Sequence, residues 1–178
     1  MKTSVINTES DGNVAQYLKW ASQFDGVGAT KIFPLAFGPN TVKVSITDSS
    51  NHKASSELIK TFQEYLDPEK QGLGNGKAPI GAKVTVVTGN ELNINIKGKV
   101  VLQTGHSVVT GAEEAIKKYF SSITYKESRI SYISVASMLL AVEGIAEVRE
   151  LIINGAAADI TLGNEDIPIL VSLNLEVV

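Results

Sequence analysis

The chain contains no cysteine. That absence removes disulfides, thiolate catalysis and zinc–sulfur sites together. Histidine is scarce as well, with two residues in 178. Lysine and arginine are scattered singly, and the net charge is −3. No basic stripe is present to neutralise a phosphate backbone, which argues against nucleic-acid binding as the main role. No apolar run approaches the roughly 18–20 residues that cross a bilayer, so no membrane span is expected. The opening Met1-Lys2-Thr3-Ser4-Val5-Ile6-Asn7 has no long apolar stretch behind its lysine and reads as a poor signal peptide.

What remains is ordinary globular material. Apolar residues make up 43% and charged residues 20%, enough for a real core. The length suits one medium domain or two small ones. Asn13 is placed to cap a first helix, along which Val14, Tyr17, Leu18, Ala21 and Phe24 recur at helical spacing. Asp25-Gly26-Val27-Gly28 breaks it, and a strand is predicted over Lys31 to Leu35. Val42, Val44 and Ile46 alternate with polar residues, the mark of a half-buried strand. Ser55 caps a second helix with Leu58, Ile59, Phe62, Tyr65 and Leu66 on one face. Asp67-Pro68 ends it, because a residue before proline is pushed out of the α region. A flexible glycine-rich loop from Gln71 to Lys77 leads to a strand near Lys83 to Thr88.

Gly89-Asn90 reads as a hinge. Beyond it, Leu92, Ile94, Ile96, Val100 and Leu102 share one parity in a long strand. A third helix carries Ala112, Ala115, Ile116, Tyr119 and Phe120. A fourth carries Val135, Ala136, Leu139, Leu140 and Val142, stopped by Gly144. Strands follow near Glu147 to Ile153 and Asp159 to Leu162. The chain closes with Val171, Leu173, Leu175 and Val177 alternating with Ser172, Asn174 and Glu176. The halves echo each other: Phe24-Asp25-Gly26-Val27 and Val142-Glu143-Gly144-Ile145 each end a helix and open a strand pair. The expected architecture is α+β, with two small α/β-sandwich-like domains, 1–89 and 90–178. Each packs its helices on one face of a mixed or antiparallel sheet.

Tests for chemistry fail one by one. Gly72-Leu73-Gly74-Asn75-Gly76-Lys77 suggests a phosphate loop, yet Gln71 stands where the first glycine belongs, Ala78 replaces the Ser or Thr, and Pro79 precedes a strand rather than a helix. Lys77 also replaces the third glycine of a dinucleotide fingerprint. His52 and His106 have no ligand partners at metal spacing and read as structural. No Gly-x-Ser-x-Gly elbow is present. Glu113 and Glu114 are neighbours pointing about 100° apart on a helix. Glu143, Glu147 and Glu150 straddle a helix end and a strand. Asp159, Asn164, Glu165 and Asp166 miss the spacing of a calcium loop. No catalytic, cofactor-binding or metal-ligating residue is assigned, and no cofactor is called for. Trp20 lies off the main apolar stripe of the first helix and is open to two readings, core margin or contact with a neighbouring subunit.

Gly12-Asn13-Val14-Ala15-Gln16-Tyr17-Leu18-Lys19-Trp20-Ala21 followed by Gly26-Val27-Gly28 resembles the baseplate J-like family of contractile phage tails. So do Val42-Lys43-Val44, Ala54 through Leu58, Tyr65-Leu66-Asp67-Pro68, Ala78-Pro79-Ile80-Gly81-Ala82-Lys83-Val84-Thr85-Val86, Val142-Glu143-Gly144-Ile145 and the strand after Asp166-Ile167-Pro168. The resemblance runs from about Asn7 onward, and it is the order and spacing of these segments that is specific. Members of the family are usually about twice this length, so the chain resembles their C-terminal half. The resemblance implies a wedge subunit around the hub of a phage or prophage tail baseplate. It also implies contacts with other wedge and hub proteins, assembly in the bacterial host cytoplasm and no enzymatic activity. Self-association within the baseplate ring stays open. Two readings stand against it: a small-molecule-binding or regulatory module, and a hydrolase built on dispersed carboxylates.

Overall fold

The computed structural model describes residues 12–107 and 109–178, and the opening Met1 to Asn7 segment lies outside them. The chain divides into two compact units, Met1–Gly89 and Asn90–Val178. Each is an α+β layer built on a three-stranded sheet.

In the first unit, α1 (Val14–Ser22) starts where Asn13 Oδ1 accepts the Gln16 N–H at 2.9 Å, satisfying one of the donors a helix start leaves open. Strands β1 (Val27–Pro34) and β2 (Thr41–Asp48) pair antiparallel, and β3 (Lys83–Thr88) joins β2 in parallel. Between β2 and β3 runs α2 (Ser56–Leu66), capped by the Ser55 hydroxyl, which accepts from the Leu58 N–H at 3.1 Å. Tyr17 and Ala21 of α1, Phe62 and Leu66 of α2, and Val44, Ile46, Val84 and Val86 of the sheet form one core. Phe24 packs against Phe62 and Tyr65 at ring separations of 4.9 and 5.1 Å. Truncating a buried side chain such as Phe62 to alanine would cost about 3–5 kcal/mol.

Three sequence expectations change here. On α1, Val14 and Leu18 are exposed, and the buried stripe is Tyr17 and Ala21 flanked by Trp20 and Phe24. Strand β1 begins at Val27 rather than Lys31, because Val27-Gly28, the end of the stretch that reads as a breaker, already belongs to it, with a bulge between Val27 and Thr30. A Cβ on Gly28 would collide with the Asp48 carbonyl oxygen, so glycine is what lets the strands approach. The loop before β3 is tied down rather than loose. Gly72 N–H donates to the Asp67 carboxylate at 3.2 Å, Lys77 N–H to the Tyr65 carbonyl at 3.0 Å, and Ala78 N–H to the Leu66 carbonyl at 2.9 Å.

The second unit is centred on β4 (Asn90–Leu102), with β6 (Ile145–Ile153) antiparallel on one side and β8 (Asp166–Val177) parallel on the other. Helices α3 (Ala112–Ile123) and α4 (Tyr132–Leu140) bury Ile116, Phe120, Val135 and Leu139 against Ile94, Ile96 and Val100 of β4. The opposite parity of β4 presents Asn93, Asn95 and Lys97 outward, as the alternation requires. A short pair, β5 (Arg129–Ile130) with β7 (Ile160–Thr161), adds Ile130 and Ile160 to the same core. Leu140 is 48% exposed, whereas Val142, beyond the helix end, is buried in its place.

Gly26 and Gly144 both take positive φ, +87° and +88°, in turns closed by the Val27 N–H on the Phe24 carbonyl at 3.3 Å and by the Ile145 N–H on the Val142 carbonyl at 3.2 Å, so the same glycine turn follows α1 and α4. The strand pair that was expected to recur with it does not. Strand β1 pairs with β2, but β6 pairs with β4, which separates it from β8. The terminal alternation is also interrupted. Ile94 opposes Leu170 and Asn95 opposes Ser172, leaving Val171 as an extra residue, 57% exposed. The bulge switches parity, so that Leu170, Leu173 and Leu175 all pack against the same core.

Candidate interaction surfaces

Several of the polar residues singled out in the sequence are engaged within the fold. Among the described residues, no three His, Cys, Asp or Glu side chains gather closely enough to hold a metal ion. Asp48 accepts the Ser50 and His52 N–H groups at 2.9 and 2.8 Å, closing the turn in which His52 sits. His106 lies against Gly144, where an added Cβ would meet its Nδ1 at 2.7 Å. Glu113 pairs with Lys117 at 2.6 Å, one helical turn on. Glu150 pairs with Lys99 at 2.7 Å, and its hydrogen bond raises the lysine pKa above the ordinary value. Glu147 and Arg149 are 2.6 Å apart, and the bond from the guanidinium lowers the Glu147 pKa. Asp159 binds Arg129 at 3.1 Å and the Tyr132 N–H at 2.8 Å, while Asp166 accepts from Gly163 N–H at 2.7 Å. The suspected acidic group near the second unit's end is therefore split between two local structural tasks. Trp20 is half-buried, set edge-on to Tyr17 at 5.1 Å, on the core margin.

A groove of about 540 Å³ between α3 and α4 is lined by Ala115, Tyr119, Met138 and Val142. Its Tyr119 hydroxyl accepts from the Ser131 N–H at 3.2 Å, and Ser122 donates to the Tyr119 carbonyl at 2.7 Å. The exposed face of the second sheet is a shallow polar trough around Lys97, Lys99, Glu150, Asn174 and Glu176.

The strand edges differ sharply. On β3, the Gln63 amide donates to the Val84 carbonyl at 3.0 Å and accepts the Val86 N–H at 2.8 Å, while Asp67 accepts the Val84 N–H at 3.0 Å. Nothing in the sequence marked Gln63, since a glutamine on a helix reads as solvated. On β8, by contrast, the backbone makes ladder bonds to β4 alone among the described strands.

Residues 9–88 match the Baseplate J-like central domain, and residues 94–176 match the Baseplate J-like protein C-terminal domain. The chain belongs to the Baseplate J-like family. This Baseplate J-like chain is 32% identical over 169 residues to the phage-like element PBSX protein XkdT of Bacillus subtilis, covering 93% of the chain and 48% of the relative. It is 32% identical over 176 residues to the uncharacterized protein YqbT of the same organism, covering 97% of the chain and 50% of the relative. The Baseplate J-like chain thus spans about half the length of the curated relatives it matches. Among solved structures, it is similar in fold to a chain of the anti-feeding prophage baseplate. That match has a TM-score of 0.53 and 5% identity, over 85% of this chain and 35% of that one.

Proposed function

We propose that this chain is a structural part of the baseplate of a contractile tail, carried by a phage, a prophage or a related injection machine. It acts by fitting against other proteins rather than by catalysis. One observation carries the reading: two Baseplate J-like domains, central and C-terminal, follow each other along nearly the whole chain. The geometry is compatible with it, because the polar clusters named above serve turns, caps and ion pairs. In finer terms, the chain is a wedge component that touches other wedge proteins and the hub, with self-association in the ring as one form of contact. It resides in the particle after assembly in the host cytoplasm, and neither nucleic acid nor membrane is its partner.

The test is genetic and visual. Deleting the reading frame from the element that carries it should leave induced cells without complete contractile tails under the electron microscope, and supplying the intact gene should restore them. Normal, contractile tails from the deletion strain would contradict the proposal.

A further inference from the structure

Two sheets of three strands have four outer edges, and three are blunted. Gln63 and Asp67 occupy β3. Strand β1 carries a bulge after Val27, Lys31 midway and Pro34 at its end. Strand β6 carries two register shifts, with Glu150 in a left-handed conformation at one of them. Bulges, prolines and lysines are the devices that keep an edge from pairing with foreign chains. Strand β8 uses such devices only in its first half, at Pro168 and Val171. From Ser172 to Val177 it runs in unbroken register with β4 and contains no proline, glycine or lysine. No other bond from these six residues' outer backbone is formed within the described structure. Six residues offer about 20 Å of open ladder.

The side chains at this edge specify what would fit. Leu173, Leu175 and Val177 line a groove of about 370 Å³ with Ala112 and Glu114 at the start of α3, and Val177 remains 51% exposed. An added strand would cover that apolar row. Charge selects the occupant. Glu114 stands exposed on the α3 side and Glu176 on the other; the lysines that feel their charge, Lys117 and Lys99, are bonded to Glu113 and Glu150 instead. A second copy of β8 would bring only Asp166 and Glu176, carboxylates against carboxylates. The edge suits a basic strand from a different protein.

We propose that the outer edge of β8, from Ser172 to Val177, accepts an extended segment of another protein, apolar toward α3 and flanked by Lys or Arg, as a fourth strand of the second sheet. This names a partner chemistry for the assembly role and rests on that reading.

The test uses the full chain and two labelled synthetic peptides, acetyl-Lys-Val-Thr-Val-Thr-Val-Lys-amide and the same sequence with both lysines replaced by glutamate. Binding is read by fluorescence anisotropy and its location by amide hydrogen exchange. The lysine peptide is expected to bind about tenfold more tightly than the glutamate one. Slowed exchange should be confined to Ser172 through Val177, and the double variant Glu114→Gln/Glu176→Gln should erase the preference. Absence of binding, equal binding of both peptides, or protection on β1 or β6 would each overturn the proposal. Protection that appears without peptide and grows with protein concentration would assign the edge to a second copy and likewise overturn it. The peptide comparison on the unaltered chain decides the matter should the double variant fail to fold. The baseplate reading fails separately, if tails assemble without the gene.

Discussion

Gln63 Oε1 accepts the Val86 N–H at 2.8 Å, and through that bond a helix side chain stands where a fourth strand would pair with β3. The same amide donates to the Val84 carbonyl and to the Asp67 carbonyl, at 3.0 and 2.7 Å. Both Gln63 and Asp67 are buried, so these bonds replace water that the backbone has lost. The Gln63→Leu variant keeps the bulk but leaves the Val84 carbonyl and the Val86 N–H without partners. It should lose about 3 kcal/mol in urea unfolding, since each orphaned buried group costs on the order of 1–3 kcal/mol.

Tyr17 presents the opposite situation. Its ring is buried, yet its hydroxyl has no hydrogen-bond partner among the described residues. Burial, with a smaller contribution from the Asp67 charge, pushes its pKa from 10.0 up to about 12. The folded pKa lies above the unfolded one, so the neutral phenol's advantage is complete below pH 10 and is lost as pH rises toward about 12. Tyr17→Phe should be neutral to slightly stabilising at pH 7. Its stability relative to the parent should then increase between pH 10 and about 12, as measured by denaturant unfolding at each pH.

The bulge at Val171 makes two deletions behave differently. Removing Val171 restores plain alternation and leaves Leu173 and Leu175 opposite Ile96 and Gly98. Removing Asn174 turns Leu175 and Val177 outward and Glu176 toward the core, because a one-residue slip inverts every later side chain. The first deletion should change the thermal midpoint little, and the second should lower it steeply.

Gly28 and Gly38 separate steric need from backbone preference. Around Gly38, at φ +108°, a Cβ meets nothing within 4 Å, so Gly38→Ala should cost about 1–2 kcal/mol for left-handed backbone alone. At Gly28 the Asp48 carbonyl and the Thr47 hydroxyl fill the space a Cβ needs. Gly28→Ala should cost about 3 kcal/mol and shift the β1–β2 register, visible in urea unfolding and in NMR amide shifts.

Local rules made much of this fold legible. The caps at Asn13 and Ser55 follow from side-chain oxygens placed before apolar periodicity, and the β4 alternation from Leu92 to Leu102 follows from the pleat. What escaped depends on contacts distant in sequence. Gly28 reads as a breaker until Asp48 lies beside it, and Val171 looks in phase until β4 fixes the register. Gln63 reads as solvent-facing until β3 arrives more than twenty residues later. The open edge of β8 is of the same kind. Its alternation is visible in sequence, but only the strand order shows which side is unpaired.

The most direct measurement of the central claim is cryo-electron microscopy of tail particles purified from cells carrying the element. The expected result is density for both α+β units of this chain within the baseplate. Finished baseplates from which this chain is absent, with the protein found only in the soluble pool, would contradict a structural role.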